Sequence, residues 1–415
     1  MKKIIEVSCI GLGQRGCVYL DEMKKMPDKF KIVAGCDNNQ ERLDRAENNF
    51  NISKDNLFLD EDDFFQTKRG DLCIVSTQDK DHVRHAIKAL RLGYDVLCEK
   101  PISDQESEVR ALLDEQRKAN KKVFICHVLR YAPAFRKVKE LLDEGTIGDL
   151  VSIDSIENVQ YLHYCHSYVR GIWRNSSDAA PMILAKCCHD LDIIAWYANS
   201  ECENISSIGD LRFFKPENKP YGASNRCMDC KYRGKCAFDA YSSYITQKFW
   251  GRWLITDERP LTDELIEKTL DKSPFGRCVF ACDNNVVDNQ LVMMKFKNGV
   301  TAQLRMLAFT YYGGRVMKFY GTKGEIDLNE SEGKIDVMPF GKIKETIAID
   351  TLLDTTAGHG GGDAGLVQNL YDNLTNNVDD TNMSTLKAST ESHLMGFAAE
   401  ESRLHNGKVI EIKHQ

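Results

Sequence analysis

Apolar and polar positions change their rhythm near residue 126. Before it, short apolar runs alternate with amphipathic stretches. Ile4 to Ile10, Lys31 to Cys36, Leu72 to Ser76, Asp95 to Cys98 and Val123 to Cys126 each read as a strand. Between them apolar residues recur at helical spacing, through Tyr19, Leu20 and Met23, through Val83, Ile87 and Leu90, and through Val109, Leu112 and Leu113. Gly93 stops the second of these helices, and Ser103 with Glu106 reads as a capping box for the third. Strands alternating with helices predict a doubly wound, mostly parallel sheet.

Beyond residue 126 a helix through Phe135, Val138, Leu141 and Leu142 ends near Gly145. Longer strand-like stretches follow, at Leu150 to Gln160, Val292 to Phe296, Thr301 to Leu307 and Val316 to Tyr320, with helical segments between them. That pattern predicts an α+β domain on an open, mainly antiparallel sheet. The chain, at 415 residues, is too long for one small core. The expected division is 1–126 and 127–415, with a Cys-rich insertion near 221–285 that is poor in apolar residues.

Charge narrows the partners. The net charge of -7, from 55 basic and 62 acidic side chains, gives no electrostatic reason to expect nucleic acid or an anionic membrane. No apolar run approaches the roughly 20 residues that span a bilayer. Met1-Lys2-Lys3 imitates a secretory signal, but Glu6 and Ser8 interrupt the apolar stretch, so a first strand and a cytoplasmic location are expected. The odd count of 15 cysteines argues against a disulfide framework.

The first candidate chemistry is Gly11-Leu12-Gly13-Gln14-Arg15-Gly16, a G-x-G-x-x-G segment between a strand and a helix. Gly11 permits the tight turn, Gly13 lets the backbone approach a pyrophosphate, and Gly16 allows close helix–strand packing. The helix N-terminus favours the phosphates. Asp37 ends the second strand, where a carboxylate can accept from a ribose 2′-hydroxyl and repel a 2′-phosphate. This favours NAD, while Arg42 nearby keeps NADP open. The fold class expected is therefore α/β, an N-terminal Rossmann parallel sheet followed by the α+β domain.

Further motifs are Ser76-Thr77 followed by His82, then Cys98-Glu99-Lys100-Pro101 at the end of the fourth strand. Arg130-Tyr131-Ala132-Pro133, Lys139, Gly145 to Gly148 and His189-Asp190-Leu191-Asp192 follow. Together they resemble the glucose–fructose oxidoreductase / inositol dehydrogenase family (Gfo/Idh/MocA) over nearly the whole chain. The resemblance implies NAD-dependent oxidation or reduction of a sugar, cyclitol or sugar derivative, by a homodimer or homotetramer. It assigns Lys100 and His189 to catalysis. The glycine turn, these motifs and the Trp173 stretch together give the expected cofactor set: Gly11, Gly13, Gln14, Arg15, Gly16, Asp37, Ser76, Thr77, His82, Glu99, Lys100, Trp173 and Arg174. Many members carry an aspartate four positions before the histidine; here Ala185 stands there. Lys186 is then a candidate for the lost polar function, Asp190 a further lining residue, and Asp192 a structural one.

His163, His166 and Arg170 cluster before Trp173 and Arg174. Such side chains suit sugar hydroxyls, and Trp173 offers a stacking face. His163 is a catalytic and substrate candidate, Arg130 and Arg170 are substrate candidates, and a polar edge strand with a loop is the alternative. In His359-Gly360-Gly361-Gly362-Asp363, His359 could reach a substrate and Asp363 could cap the next helix. Cys227, Cys230 and Cys236, completed by Cys278 or Cys282, have spacings suited to a structural zinc, with Cys282 taken as the fourth ligand. Free thiols or one local disulfide are the alternatives. Two other functions compete with net oxidoreduction: a glycosidase that uses NAD transiently, and a non-catalytic dinucleotide or sugar sensor.

Overall fold

The computed structural model describes residues 3–352, 359–376 and 382–414. Six parallel strands form the first sheet: β1 (Ile5–Ile10), β2 (Phe30–Cys36), β3 (Leu57–Phe58), β4 (Leu72–Val75), β5 (Asp95–Cys98) and β6 (Val123–Ile125). Their order is β3-β2-β1-β4-β5-β6. The strand order reverses between β1 and β4, so the carboxyl ends of these two strands open a crevice where ligands bind in such sheets. The edge strand β3, with two residues, is too short to leave a period in the sequence. Helix Glu106–Ala119 lacks the expected capping box. Its N-cap is Gln105, with no side-chain cap, and the Ser103 hydroxyl instead accepts from Gln105 N–H and donates to Glu108.

The second sheet has nine strands: β7 (Leu150–Gln160), β8 (Cys202–Asp210), β9 (Asn289–Phe296), β10 (Thr301–Thr310), β11 (Gly314–Gly321), β12 (Gly324–Asn329), β13 (Lys334–Pro339), β14 (Glu345–Ala348) and β15 (Ile410–Glu411). The order is β14-β13-β12-β11-β7-β10-β9-β8-β15. Only the β7–β10 pair is parallel. Alternate residues such as Val292, Met294, Leu304 and Met306 point into the core, where Leu191, Ile194, Met395 and Ala399 meet them. All eleven residues of helix Cys188–Ala198 are buried, so it shows no polar stripe in the sequence.

The inserted segment builds a small core of its own, with Met228, Tyr244, Phe249, Ile266 and Leu270 around Leu162. Helix Gly362–Asn376 returns to the first sheet. Leu366, Val367, Leu370 and Tyr371 share a core with Ile5, Val7, Tyr19 and Phe30. Among the described residues no helix is long and apolar enough to cross a membrane.

Candidate active site

The glycine turn has the geometry its spacing predicts. Gly11 sits at φ +90°, and a Cβ there would lie 2.4 Å from the Ser76 carbonyl oxygen. A Cβ on Gly16 would lie 2.2 Å from the Gly11 carbonyl oxygen, so only glycine allows helix Gln14–Lys24 to sit this close to β1. At Gly13 the nearest atom to a Cβ is Arg42 Nη1, at 3.7 Å. Gly13 is the N-cap of the helix, and no side chain hydrogen-bonds to the helix N-terminus. This cradle fits a pyrophosphate. Gln14 is exposed at the helix head. Ser76 supports the turn from below, its hydroxyl donating to the Gly11 carbonyl at 2.7 Å.

Asp37 is buried with its carboxylate held in place. Leu12 N–H donates to Oδ2 at 2.8 Å, Asn39 N–H to Oδ1 at 3.0 Å, and Arg42 Nη1 lies 3.5 Å from Oδ2. Thr77 and His82 lie along the neighbouring strand end. The Thr77 hydroxyl meets His85 Nδ1 at 3.0 Å. His82 is a correction to the cofactor set: it is 1% exposed, and its ring nitrogens face the carbonyls of Pro101 and Thr77. It joins two backbone segments beneath the crevice.

Arg15 and Glu99 hold one another. Arg15 Nε donates to Glu99 Oε1 at 2.7 Å, and Tyr19 donates to the same oxygen at 2.6 Å. Burial opposes ionisation of Glu99, but Arg15, Lys100 and the Tyr19 hydroxyl outweigh it and keep its pKa below the ordinary value. Arg15 also reaches Asp363 at 2.7 Å, and His359 Nδ1 lies 2.9 Å from the other oxygen of Asp363. Asp363 is therefore not a helix cap. It lies inside helix Gly362–Asn376 and ties His359 to the head of helix Gln14–Lys24.

Lys100 emerges at the end of β5, and its ammonium donates to the Ala185 carbonyl at 3.0 Å. That contact places it beside the start of helix Cys188–Ala198, whose second residue is His189. His189 is 7% exposed, and its Nδ1 is buried without a hydrogen-bond partner. Burial, then the charge of Lys100, push its pKa well below the ordinary value, so the ring is neutral at neutral pH. The His359 ring lies 6.4 Å from it. His163 is also held neutral, by burial and then by Lys186, with Lys100 contributing. Lys100, His163, Lys186, His189 and His359 thus converge.

Lys186 stands on a buried ionic cluster. Its ammonium lies 3.0 Å from Glu157, whose other oxygen is 2.9 Å from Arg315. Arg315 also grips both oxygens of Asp190, at 2.8 and 3.2 Å. Burial raises the Asp190 pKa to about 6. With both oxygens turned to Arg315, Asp190 supports the cluster and does not line the crevice.

Two arginines expected at the substrate lie elsewhere. Arg130 is buried in a two-bond pair with Asp192, at 2.6 and 2.8 Å. Arg170, 1% exposed, donates to the carbonyls of Arg277 and Phe238 inside the insertion. Trp173 donates to Asp79 at 3.2 Å, and Arg174 pairs with Asp283. His166 points into the insertion core, 2.9 Å from the Tyr244 hydroxyl.

The zinc expectation is also corrected. Among the described residues no group of three or more His, Cys, Asp or Glu is arranged to hold a metal. Cys227, Cys230, Cys236 and Cys278 line a small apolar cavity of about 30 Å³. The Arg170 guanidinium stands 3.7 Å from Cys227 Sγ, and Cys282 is turned away to donate to the Cys278 carbonyl. Burial raises the thiol pKa values of Cys236, Cys278 and Cys282, which favours the protonated form.

Besides Glu157 and Arg315, three more side chains escaped the sequence reading. His127 is buried with Nδ1 2.9 Å from Asp192, and its ring is 5.6 Å from that of His189. His393 accepts from Ile102 N–H through Nε2 and faces the Ser389 carbonyl through Nδ1, both at 2.8 Å. Trp250, 47% exposed, stands 5.1 Å from the His163 ring. These come from distant segments, and no local spacing announces them.

Residues 5–127 match the family model for the oxidoreductase family with an NAD-binding Rossmann fold, and residues 135–327 match the GFO/IDH/MocA C-terminal domain. The chain belongs to the Gfo/Idh/MocA family of NAD-binding oxidoreductases. It is 24% identical over 331 residues to YteT of Bacillus subtilis (strain 168), a protein with an oxidoreductase name, spanning 75% of this chain and 74% of that one. It is 21% identical over 227 residues to an inositol 2-dehydrogenase/D-chiro-inositol 3-dehydrogenase of Lactiplantibacillus plantarum, spanning 54% of this chain and 60% of that one. A levoglucosan dehydrogenase structure with NADH and levoglucosan has the same fold, with TM-score 0.74, 16% identity and full coverage of both chains. The WlbA dehydrogenase of Bordetella pertussis, with NADH and UDP-GlcNAcA, gives TM-score 0.71 at 14% identity, covering 100% of this chain and 99% of that one.

Proposed function

We propose that this oxidoreductase moves a hydride between NAD and a CH–OH carbon of a sugar, cyclitol or sugar derivative. The observation that carries the reading is a neutral, buried His189 beside Lys100 at the carboxyl end of β5, next to the glycine cradle. When bound, NAD supplies the hydride acceptor or donor. The chain supplies the proton handling: His189, neutral and beside Lys100, takes the hydroxyl proton, and the Lys100 ammonium stabilises the oxygen as it gains charge. Ala185 contributes its backbone carbonyl, which orients Lys100. His163 and Lys186 bind neighbouring hydroxyls. The dehydrogenase names of the relatives support the substrate class. Exposed Ile208 and Met293 on the outer face of the second sheet support a homo-oligomer.

The test is incubation with NAD and a panel of sugars, cyclitols and aryl glycosides, following NADH absorbance and released aglycone together. NADH formation that falls about 10²- to 10⁴-fold in Lys100→Met or His189→Asn, with NAD binding kept, is the expected result. Aglycone release without NADH would overturn net oxidoreduction in favour of a transient-oxidation glycosidase. Full turnover in both variants would remove these residues from the chemistry.

A further inference from the structure

Asp257 reaches from the inserted segment to helix Gln40–Phe50, which follows the ribose-side carboxylate Asp37. Its Oδ1 accepts from Arg45 Nη2 at 3.0 Å, and its backbone carbonyl accepts from Arg45 Nη1 at 3.3 Å. Its Oδ2 lies 3.6 Å from Arg42 Nη2. Arg42 is the guanidinium that also stands 3.5 Å from Asp37 and 3.7 Å from the Cβ position of Gly13. One arginine therefore touches the ribose carboxylate, the phosphate turn and the aspartate of the insertion.

We propose that Asp257 is a specificity determinant for the dinucleotide, a role that rests on the reading of NAD as the cofactor. A ribose 2′-phosphate is a dianion best held by paired guanidinium groups. Arg42 and Arg45, three residues apart, share one helix face and present that pair of donors. Asp257 engages both. It also brings the corner of Asp37, Arg42, Arg45 and Asp257 to zero net charge, where three of these groups alone would be cationic. The 2′-hydroxyl of NAD loses nothing by this, because it needs only an acceptor on Asp37. The 2′-phosphate meets occupied donors and a second carboxylate. The insertion thus turns a corner open to either dinucleotide into one that selects NAD.

The experiment titrates the full-length wild type, Asp257→Asn and Glu258→Gln with NADH and NADPH at fixed moderate salt, read by calorimetry. Glu258 is an exposed carboxylate on the same loop and controls for net charge. Asp257→Asn is expected to tighten NADPH about tenfold, the order for removing one charge from beside a dianion in screened surroundings. Its NADH affinity is expected to stay within about twofold, and Glu258→Gln to move neither ligand. An unchanged NADPH-to-NADH ratio in Asp257→Asn, or equal weakening of both, would overturn the assignment. A wild type that binds NADPH as tightly as NADH would also overturn it while leaving the oxidoreductase reading intact. A wild type that binds neither would overturn both.

Discussion

Replacing His393 with leucine should produce a stability defect that is present at pH 7 and nearly absent at pH 5. His393 is fully buried, and its Nε2 is the acceptor for Ile102 N–H, two residues after Lys100. Leucine leaves that amide buried and unpaired, at a cost of about 1–3 kcal/mol. The Ser389 carbonyl keeps the Ser392 hydroxyl as a donor, so it adds little. Burial, with His127 adding to it, lowers the His393 pKa from 6.5 to about 3. The folded value is the depressed one. The histidine's contribution is therefore complete above about pH 6.5 and is lost as pH falls below it, because the unfolded ring takes up a proton that the folded ring refuses. Between pH 7 and pH 5 that loss is about 2 kcal/mol. The wild type suffers it and the leucine variant does not. Urea denaturation of both proteins at both pH values gives the comparison, with the change in midpoint scaled by a common slope. A gap of equal size at pH 7 and pH 5 would refute the reasoning, since it would mean that His393 is not held neutral by the fold.

Two other outcomes follow from the same geometry. Asp192→Asn strands the Arg130 guanidinium in a buried site and should cost roughly 3–5 kcal/mol in chemical denaturation; a cost below about 1 kcal/mol would mean the pair is solvated in solution. Gly16→Ala forces a Cβ onto the Gly11 carbonyl and should weaken NADH binding more than tenfold and destabilise the protein by about 1–3 kcal/mol; unchanged NADH titration and melting would show that the turn relaxes freely.

The glycine turn was legible because each of its residues answers a local steric demand, readable from spacing alone. Motif context at a strand end and in a buried helix pointed to Lys100 and His189, which the fold brings near one another through the Ala185 carbonyl. The arginines misled for a physical reason. Arg130 and Arg170 look like any polar side chain in sequence, and only the tertiary structure reveals that Asp192 and two carbonyls already occupy them. Glu157 and Arg315 lie on β7 and β11, strands adjacent in the sheet but far apart in the chain, so the cluster under Lys186 has no sequence signature. The cysteine spacing suggested a metal, but a thiol beside a guanidinium and a thiol turned to a carbonyl make a packed corner instead. β12 to β15 were missed because their short alternations resemble loops until a neighbouring strand pairs with them, and β8, nine residues long, was missed because its buried positions do not alternate regularly.

The return of helix Gly362–Asn376 to the first sheet has a consequence for how the protein is made. The Tyr371 hydroxyl donates to the Lys3 carbonyl at 3.1 Å, and Asp363 pairs with Arg15, so the beginning of the chain waits for partners more than 340 positions away. Until residues 362–383 have left the ribosome, Ile5, Val7, Tyr19 and Phe30 lack part of the apolar cover that completes their core. Closing so long a loop is slow. The nucleotide-binding half, although synthesised first, is therefore among the last parts to reach full stability, and a nascent chain displays its unfinished face throughout synthesis of the second sheet.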